Sequence, residues 1–187
     1  MSADGAGRGS GPGPDPEDID PEAFEDLPST DVDVEVHVHF GMTGSFPLRL
    51  AELFFADDGL YIAEYSYVTP LFGLGTKQHK KEAAGMERIY DVHGLDEVLL
   101  QADKVVWSAY DNVERVVLDE GGGLGRPKLT IYLEDEHSFA YRLHEGADPA
   151  WLRSELGDAA ERHGFGFEAQ SGVGFRPREN LRRFFTG

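Results

Sequence analysis

The chain has no cysteine, only five lysines, and no apolar run near the length that crosses a bilayer. Without cysteine there is no disulfide framework, no thiol nucleophile and no thiolate-held zinc or iron–sulfur centre. Without a run of about 18 apolar residues no transmembrane helix is expected, and the N-terminus carries no apolar signal core. A basic stripe that would follow a phosphate backbone is also missing, which argues against a nucleic-acid partner. The expected location is cytoplasmic.

What the chain does have is acid. Thirty-five Asp and Glu residues face seventeen Lys and Arg, for a formal charge of -18 over 187 residues. Such a surface repels itself unless dense salt screens it. Scarce lysine beside abundant carboxylate is the composition of a salt-loving, haloarchaeal cytosol. The apolar fraction of 40 %, with 11 % aromatic residues, still supports a core, so the acidity lies on a folded body. Residues 1–31 hold nine acids and one arginine among Gly, Pro and Ser, and are expected to be a disordered acidic tail. A single domain is expected over 32–170. Residues 171–187 pair Phe175, Leu181, Phe184 and Phe185 with Arg176, Arg178, Arg182 and Arg183. That is a basic amphipathic segment, suited to packing on the domain or to peripheral contact with an anionic membrane.

Within the domain the hydrophobic period changes several times. Val32, Val34, Val36, Val38 and Phe40 alternate with polar residues, as in a half-buried strand. Leu48–Ala56 and Leu60–Val68 flank Asp57-Asp58-Gly59, a hairpin turn with glycine where positive φ is needed. Lys77–Val92 carries Ala83, Ala84, Met86, Ile89 and Tyr90 at helical spacing, and a short second helix or turn follows from Leu95. Strands return at 104–109, 113–119, 129–133 and 139–143, with 165–169 as one more short segment. Asp148 caps a helix with Pro149 at its first position. Its apolar stripe reads Trp151, Leu152, Leu156, Ala159 and Ala160, which makes Trp151 an expected core plug.

The stretch Val105-Val106-Trp107, then Asn112-Val113-Glu114-Arg115-Val116-Val117-Leu118, Leu129–Leu133 and a helix from Asp148 resembles the second half of PH-like and GRAM-like domains. Leu53–Tyr61 resembles their strand, acidic turn, Gly, strand opening. The resemblance implies an α+β fold: a partly closed antiparallel β-barrel with a C-terminal capping helix. The helix at 77–92 departs from the plainest form as an insertion. Lipid headgroups or peptides are the ligand classes that the resemblance implies.

Catalytic signatures are weak. No serine sits in a nucleophile turn with a placed His and acid. Carboxylates are too abundant for any pair to mean much. Gly121–Lys128 leads into a strand, whereas a phosphate cradle needs a helix start. His37 and His39 leave one strand face roughly 7 Å apart, a spacing that can serve zinc when a third ligand arrives. Beside Asp33 and Glu35, and opposite the valine stripe, they are expected to be solvated, so no metal or cofactor is expected. The better candidate is Phe72-Gly73-Leu74-Gly75-Thr76-Lys77-Gln78-His79-Lys80-Lys81, where a strand gives way to a helix. Three of the five lysines crowd a helix start that is already positive. Gly73, Gly75, Thr76, Lys77, Lys80 and Lys81 are thus the expected ligand-binding residues. The expected function is a non-enzymatic binding module for an anionic ligand, a lipid headgroup or an acidic peptide. The alternative is an interaction or scaffold domain whose surface is Tyr61, Tyr65 and Tyr67 with Pro70, Leu71 and Phe72.

Overall fold

The structure is a computed structural model that describes residues 32–44, 48–68, 75–122, 125–135 and 137–172, with the backbone alone at 68 and 75–77. The acidic head, residues 69–74 and the basic segment beyond Gly172 lie outside the described residues. In chain order the elements are β1 (Val34–Thr43), β2 (Leu48–Ala56), β3 (Gly59–Val68), α1 (Gly75–His93), α2 (Leu95–Gln101), β4 (Lys104–Ser108), β5 (Val113–Asp119), β6 (Lys128–Leu133), β7 (Ser138–Arg142), α3 (Pro149–His163) and β8 (Gly166–Gln170). A 3-10 turn, Tyr110–Asn112, leads into β5.

The architecture is α+β. Eight strands form one mixed sheet in the order β4-β3-β2-β1-β7-β6-β5-β8. Every pair is antiparallel except β5 with β8, which run parallel across the α3 connection. The sheet does not close among the described residues, since β4 and β8 are its two edges. A second gap lies inside it. β1 meets β7 only at Met42 and Arg142, so β1 from Val34 to Gly41 has no strand partner on that side.

Two cores occupy the two faces. On one, Val36, Val38, Ala51, Leu53, Phe55, Leu60 and Ile62 pack with residues of β5 and β6 and with Leu152, Leu156, Ala159 and Ala160 of α3. On the other, Leu50, Phe54, Ala63 and Tyr65 lie under Ala83 and Met86 of α1 and Leu95 and Val98 of α2. This is why β2 reads as a near-continuous apolar run: it is covered on both sides. From Leu50 onward one residue breaks that run, Glu52.

Asp148 caps α3 by accepting the N–H groups of Ala150 and Trp151 at 2.9 and 3.2 Å, and Gly164 ends it in the left-handed conformation. The expectation for Trp151 fails. Leu152, Leu156, Ala159 and Ala160 set the buried face, and Trp151, one position off that stripe, is 44 % exposed. The Gly59 turn behaves as expected: φ is 153°, and a Cβ there would meet the Ser108 carbonyl oxygen at 2.7 Å. None of the described helices is long and apolar enough to cross a membrane.

Candidate functional site

The most unusual group is Glu52, a carboxylate with no solvent exposure in the middle of β2. Its neighbours come from a local irregularity. Between the pairs Val38↔Leu53 and Gly41↔Ala51, β1 places two residues, His39 and Phe40, against Glu52 alone. That is a β-bulge, a device that re-aims side chains. Phe40 adopts φ 56°, an uncommon conformation for a bulky residue. The result brings two imidazole nitrogens and one backbone N–H to one oxygen. Glu52 Oε2 lies 2.8 Å from His37 Nε2, 2.9 Å from His39 Nδ1 and 3.3 Å from the Phe40 amide. The Tyr65 hydroxyl donates to the other oxygen, Oε1, at 2.6 Å.

Burial alone would push the Glu52 carboxyl up, but the hydrogen bonds from His37, His39 and Tyr65 and the His39 charge outweigh it and hold it below its usual value. Burial pulls His39 down, and Glu52, Glu87 and Asp91 together raise it above the ordinary histidine value. The Tyr65 phenol is pushed far above its usual range by burial and by the Glu52 charge, so it stays a donor.

The histidines are not solvated. Their side chains are only 17 and 20 % exposed, because α1 lies over this face. The His37 ring stacks on Phe54 at 4.4 Å between centroids and tilts against Tyr90 of α1 at 4.5 Å. Alternation along β1 places these residues opposite the valine stripe correctly. It carries no information about a helix from 40 residues downstream.

Where β1 lacks a strand partner, a cleft of about 200 Å³ opens between β1 and the start of α3. Its walls include His37, His39, His144, Trp151 and Leu152. The rings of His39 and His144 are 5.9 Å apart, and His144 stacks on Phe40 at 5.7 Å. His144 Nδ1 accepts the Gly146 amide at 3.0 Å, which puts its proton on Nε2. Burial, and then the neighbouring His39 charge, keep His144 below the usual histidine value.

Of the residues expected to bind a ligand, Gly73 lies outside the described residues, and Gly75, Thr76 and Lys77 are described only as the first turn of α1. Lys80 ion-pairs with Glu145 at 2.8 Å, next in sequence to the cleft-lining His144. Lys81 is exposed. The tyrosines do not make one surface. Tyr65 is buried, Tyr61 is half-buried with its hydroxyl on Asp58 at 2.6 Å, and Tyr67 is exposed.

Sequence reasoning missed Glu52, Tyr65 and His144 as site residues. The signal was there for Glu52: a single carboxylate inside Leu50-Ala51-Glu52-Leu53-Phe54 cannot be solvated if the strand is covered on both faces. A second such residue, Glu64 on β3, binds Arg49 at 2.9 Å and accepts the Tyr141 hydroxyl at 3.0 Å.

No family model matches the chain, and no curated protein matches it. Among solved structures it is similar to "The hSac2 domain from human phosphoinositide phosphatase Sac2", at 10 % identity and a TM-score of 0.43, over 80 % of this chain and 84 % of that one. A likeness of that size carries no argument about activity or ligand.

Proposed function

We propose that the protein is a PH-like binding domain for a phosphate-bearing anion, seated in the cleft between β1 and the start of α3. The carrying observation is the gathering of three imidazoles, His37, His39 and His144, around one opening in a chain of net charge -18. His144 presents an Nε2–H, His39 is biased toward its charged form, and Lys80 pairs with Glu145, next in sequence to His144. A late helix, α3, packed on one core of an open, mostly antiparallel sheet supports the PH-like reading. Exposed ion pairs are worth little and weaken in salt. A cleft whose imidazoles stand among Val38, Ala147, Trp151 and Leu152 suits a salt-rich solvent better than a lysine turn alone.

The test is titration of the full chain with inorganic phosphate, a soluble inositol polyphosphate and anionic lipid vesicles, at low and at molar KCl. Trp151 lines the cleft, so its fluorescence in a Trp107→Phe background reports occupancy. Saturable binding that His144→Gln weakens supports the reading, and the three probes separate a free phosphate from a headgroup. No binding of any probe at either salt concentration ends it. One observation favours an interaction surface elsewhere: the edge strand β4 exposes Val105 and Trp107 by 42 and 53 %. Pull-down of a protein partner lost on Trp107→Lys would support that second reading.

A further inference from the structure

We propose that His37, His39 and Glu52 form a binding site for a divalent transition metal of the zinc class. The three ligand atoms lie within 4.8 Å of one another, and the carboxylate among them is wholly buried. Two imidazole nitrogens with one carboxylate oxygen are the donor set of zinc sites that keep a fourth position open.

The hydrogen-bond count favours a metal over a purely structural cluster. A carboxylate oxygen offers about two lone-pair directions. Here two imidazole nitrogens, which must donate if the carboxylate is charged, converge with the Phe40 amide on Oε2, while Oε1 receives Tyr65. Oε2 is oversubscribed. A metal between the two nitrogens and Oε2 removes both imidazole protons from that crowding. With ligands at about 2.0–2.1 Å in a tetrahedron, neighbouring ligand atoms stand roughly 3.3 Å apart. The His37 and His39 nitrogens sit 2.8 and 2.9 Å from Oε2, so each contact opens by about half an ångström, within side-chain adjustment on a bulged strand.

The surroundings supply what such ligands need. Tyr65 fixes the carboxylate and leaves Oε2 to coordinate. His39 Nε2 has Glu87 at 3.9 Å, a carboxylate behind a ligating imidazole. Phe54 and Tyr90 hold the His37 ring from two sides. His144 is not a ligand in this arrangement, because its Nδ1 already accepts a backbone N–H and its Nε2 carries the proton. It remains across the cleft as a donor to whatever occupies the open position.

The inference shares the cleft with the anion reading but does not require it. The full chain, stripped with chelator and kept in molar KCl, is titrated with ZnCl2 by calorimetry and with CoCl2 by visible absorption. Expected are one tight site per chain, a four- or five-coordinate cobalt spectrum and a higher thermal midpoint with metal. Glu52→Gln is expected to lower affinity at least tenfold. Because that residue is buried, the double variant His37→Gln/His39→Gln, at half-buried positions, is the second probe and is expected to lose the site. Absence of stoichiometric binding, or equal affinity in the double variant, overturns the proposal. Anion binding that survives chelator with no zinc uptake overturns the metal site and leaves the anion reading. Zinc uptake without anion binding does the reverse.

Discussion

Removal of the Tyr65 hydroxyl tests whether Glu52 is a charged, buried acceptor. Tyr65 and Glu52 are 5 and 0 % exposed, and their contact at 2.6 Å is charge-assisted. Tyr65→Phe deletes one oxygen and keeps the ring, so the packing against α1 and β2 is retained. What changes is Oε1, which loses its donor inside a core where water cannot replace it. A hydrogen bond to a charged group contributes about 1.5–3 kcal/mol. For a domain of this size each kcal/mol is about 2–4 °C of thermal midpoint, hence a fall of roughly 3–12 °C. Urea unfolding in molar KCl with chelator present should give that loss of stability at an unchanged slope. Tyr67→Phe, at a residue 55 % exposed, is the control and should lie within about 0.5 kcal/mol of the parent. If Tyr65→Phe is as stable as the control, Glu52 does not depend on Tyr65, and the description of a saturated buried carboxylate is wrong.

Trp151→Ala should cost less than about 1.5 kcal/mol by thermal unfolding, well under the ~3–5 kcal/mol of a buried indole, because the side chain is 44 % exposed. Gly85→Ala should stabilise by about 0.5–1 kcal/mol, since Gly85 lies inside α1 and a Cβ there meets nothing within 4 Å. The unfolding midpoint should rise with KCl from low to molar concentration, because screening relieves the repulsion of a -18 chain; a flat profile would refute the salt-adapted reading. Burial pushes the Glu35 carboxyl up, but Arg162 and His163 outweigh it and hold it below its usual value. A lowered folded value adds stability that is present above the unfolded value of about 4.3 and is lost as pH falls through the folded one. Parent and Glu35→Gln should therefore differ at pH 6 and converge only once the pH has fallen through the lowered folded value.

Local chemistry was legible in the sequence and long-range cover was not. The Asp57-Asp58-Gly59 turn, the helix from 77, and the Asp148-Pro149 start of α3 are written in residues within one turn or strand of each other, and the structure carries them. The β1 alternation holds only in part, because register shifts leave Val36 and Val38 in one core and turn Val34 and Phe40 to the other. Trp151 failed because a helical stripe admits residues about 100° off its centre, and only the packed partner decides which are covered. His37 and His39 failed for a related reason. Their strand is amphipathic by sequence, but α1 arrives over its polar face and brings Tyr90 and Glu87 with it. Tyr65 looked like surface because aromatic residues on a strand suit an exposed face as well as a buried one. The bulge at His39–Phe40 had no signal at all: neither residue is a glycine, and the extra residue shows only in the register with β2.

The chain contains its own control for what Glu52 means. In the β2–β3 ladder Ala51 faces Glu64 and Ala63 faces Glu52, so two buried glutamates stand opposite alanines on opposite faces of the same pair of strands. Each accepts a tyrosine hydroxyl, from Tyr141 for Glu64 and from Tyr65 for Glu52. They differ in their cations. Glu64 has Arg49, a permanent charge whose guanidinium also lies over the Tyr67 ring at 4.8 Å. That is a structural ion pair closed by a permanent cation. Glu52 has two imidazoles, which carry charge only when protonated and offer lone pairs when they are not. A fold that needed only to neutralise a buried carboxylate had an arginine solution in hand one residue pair along the same two strands. Two histidines on one oxygen make sense where the position must accept either protons or a metal, and the difference between the two glutamates is the reason to look for the ligand at Glu52 rather than at Glu64.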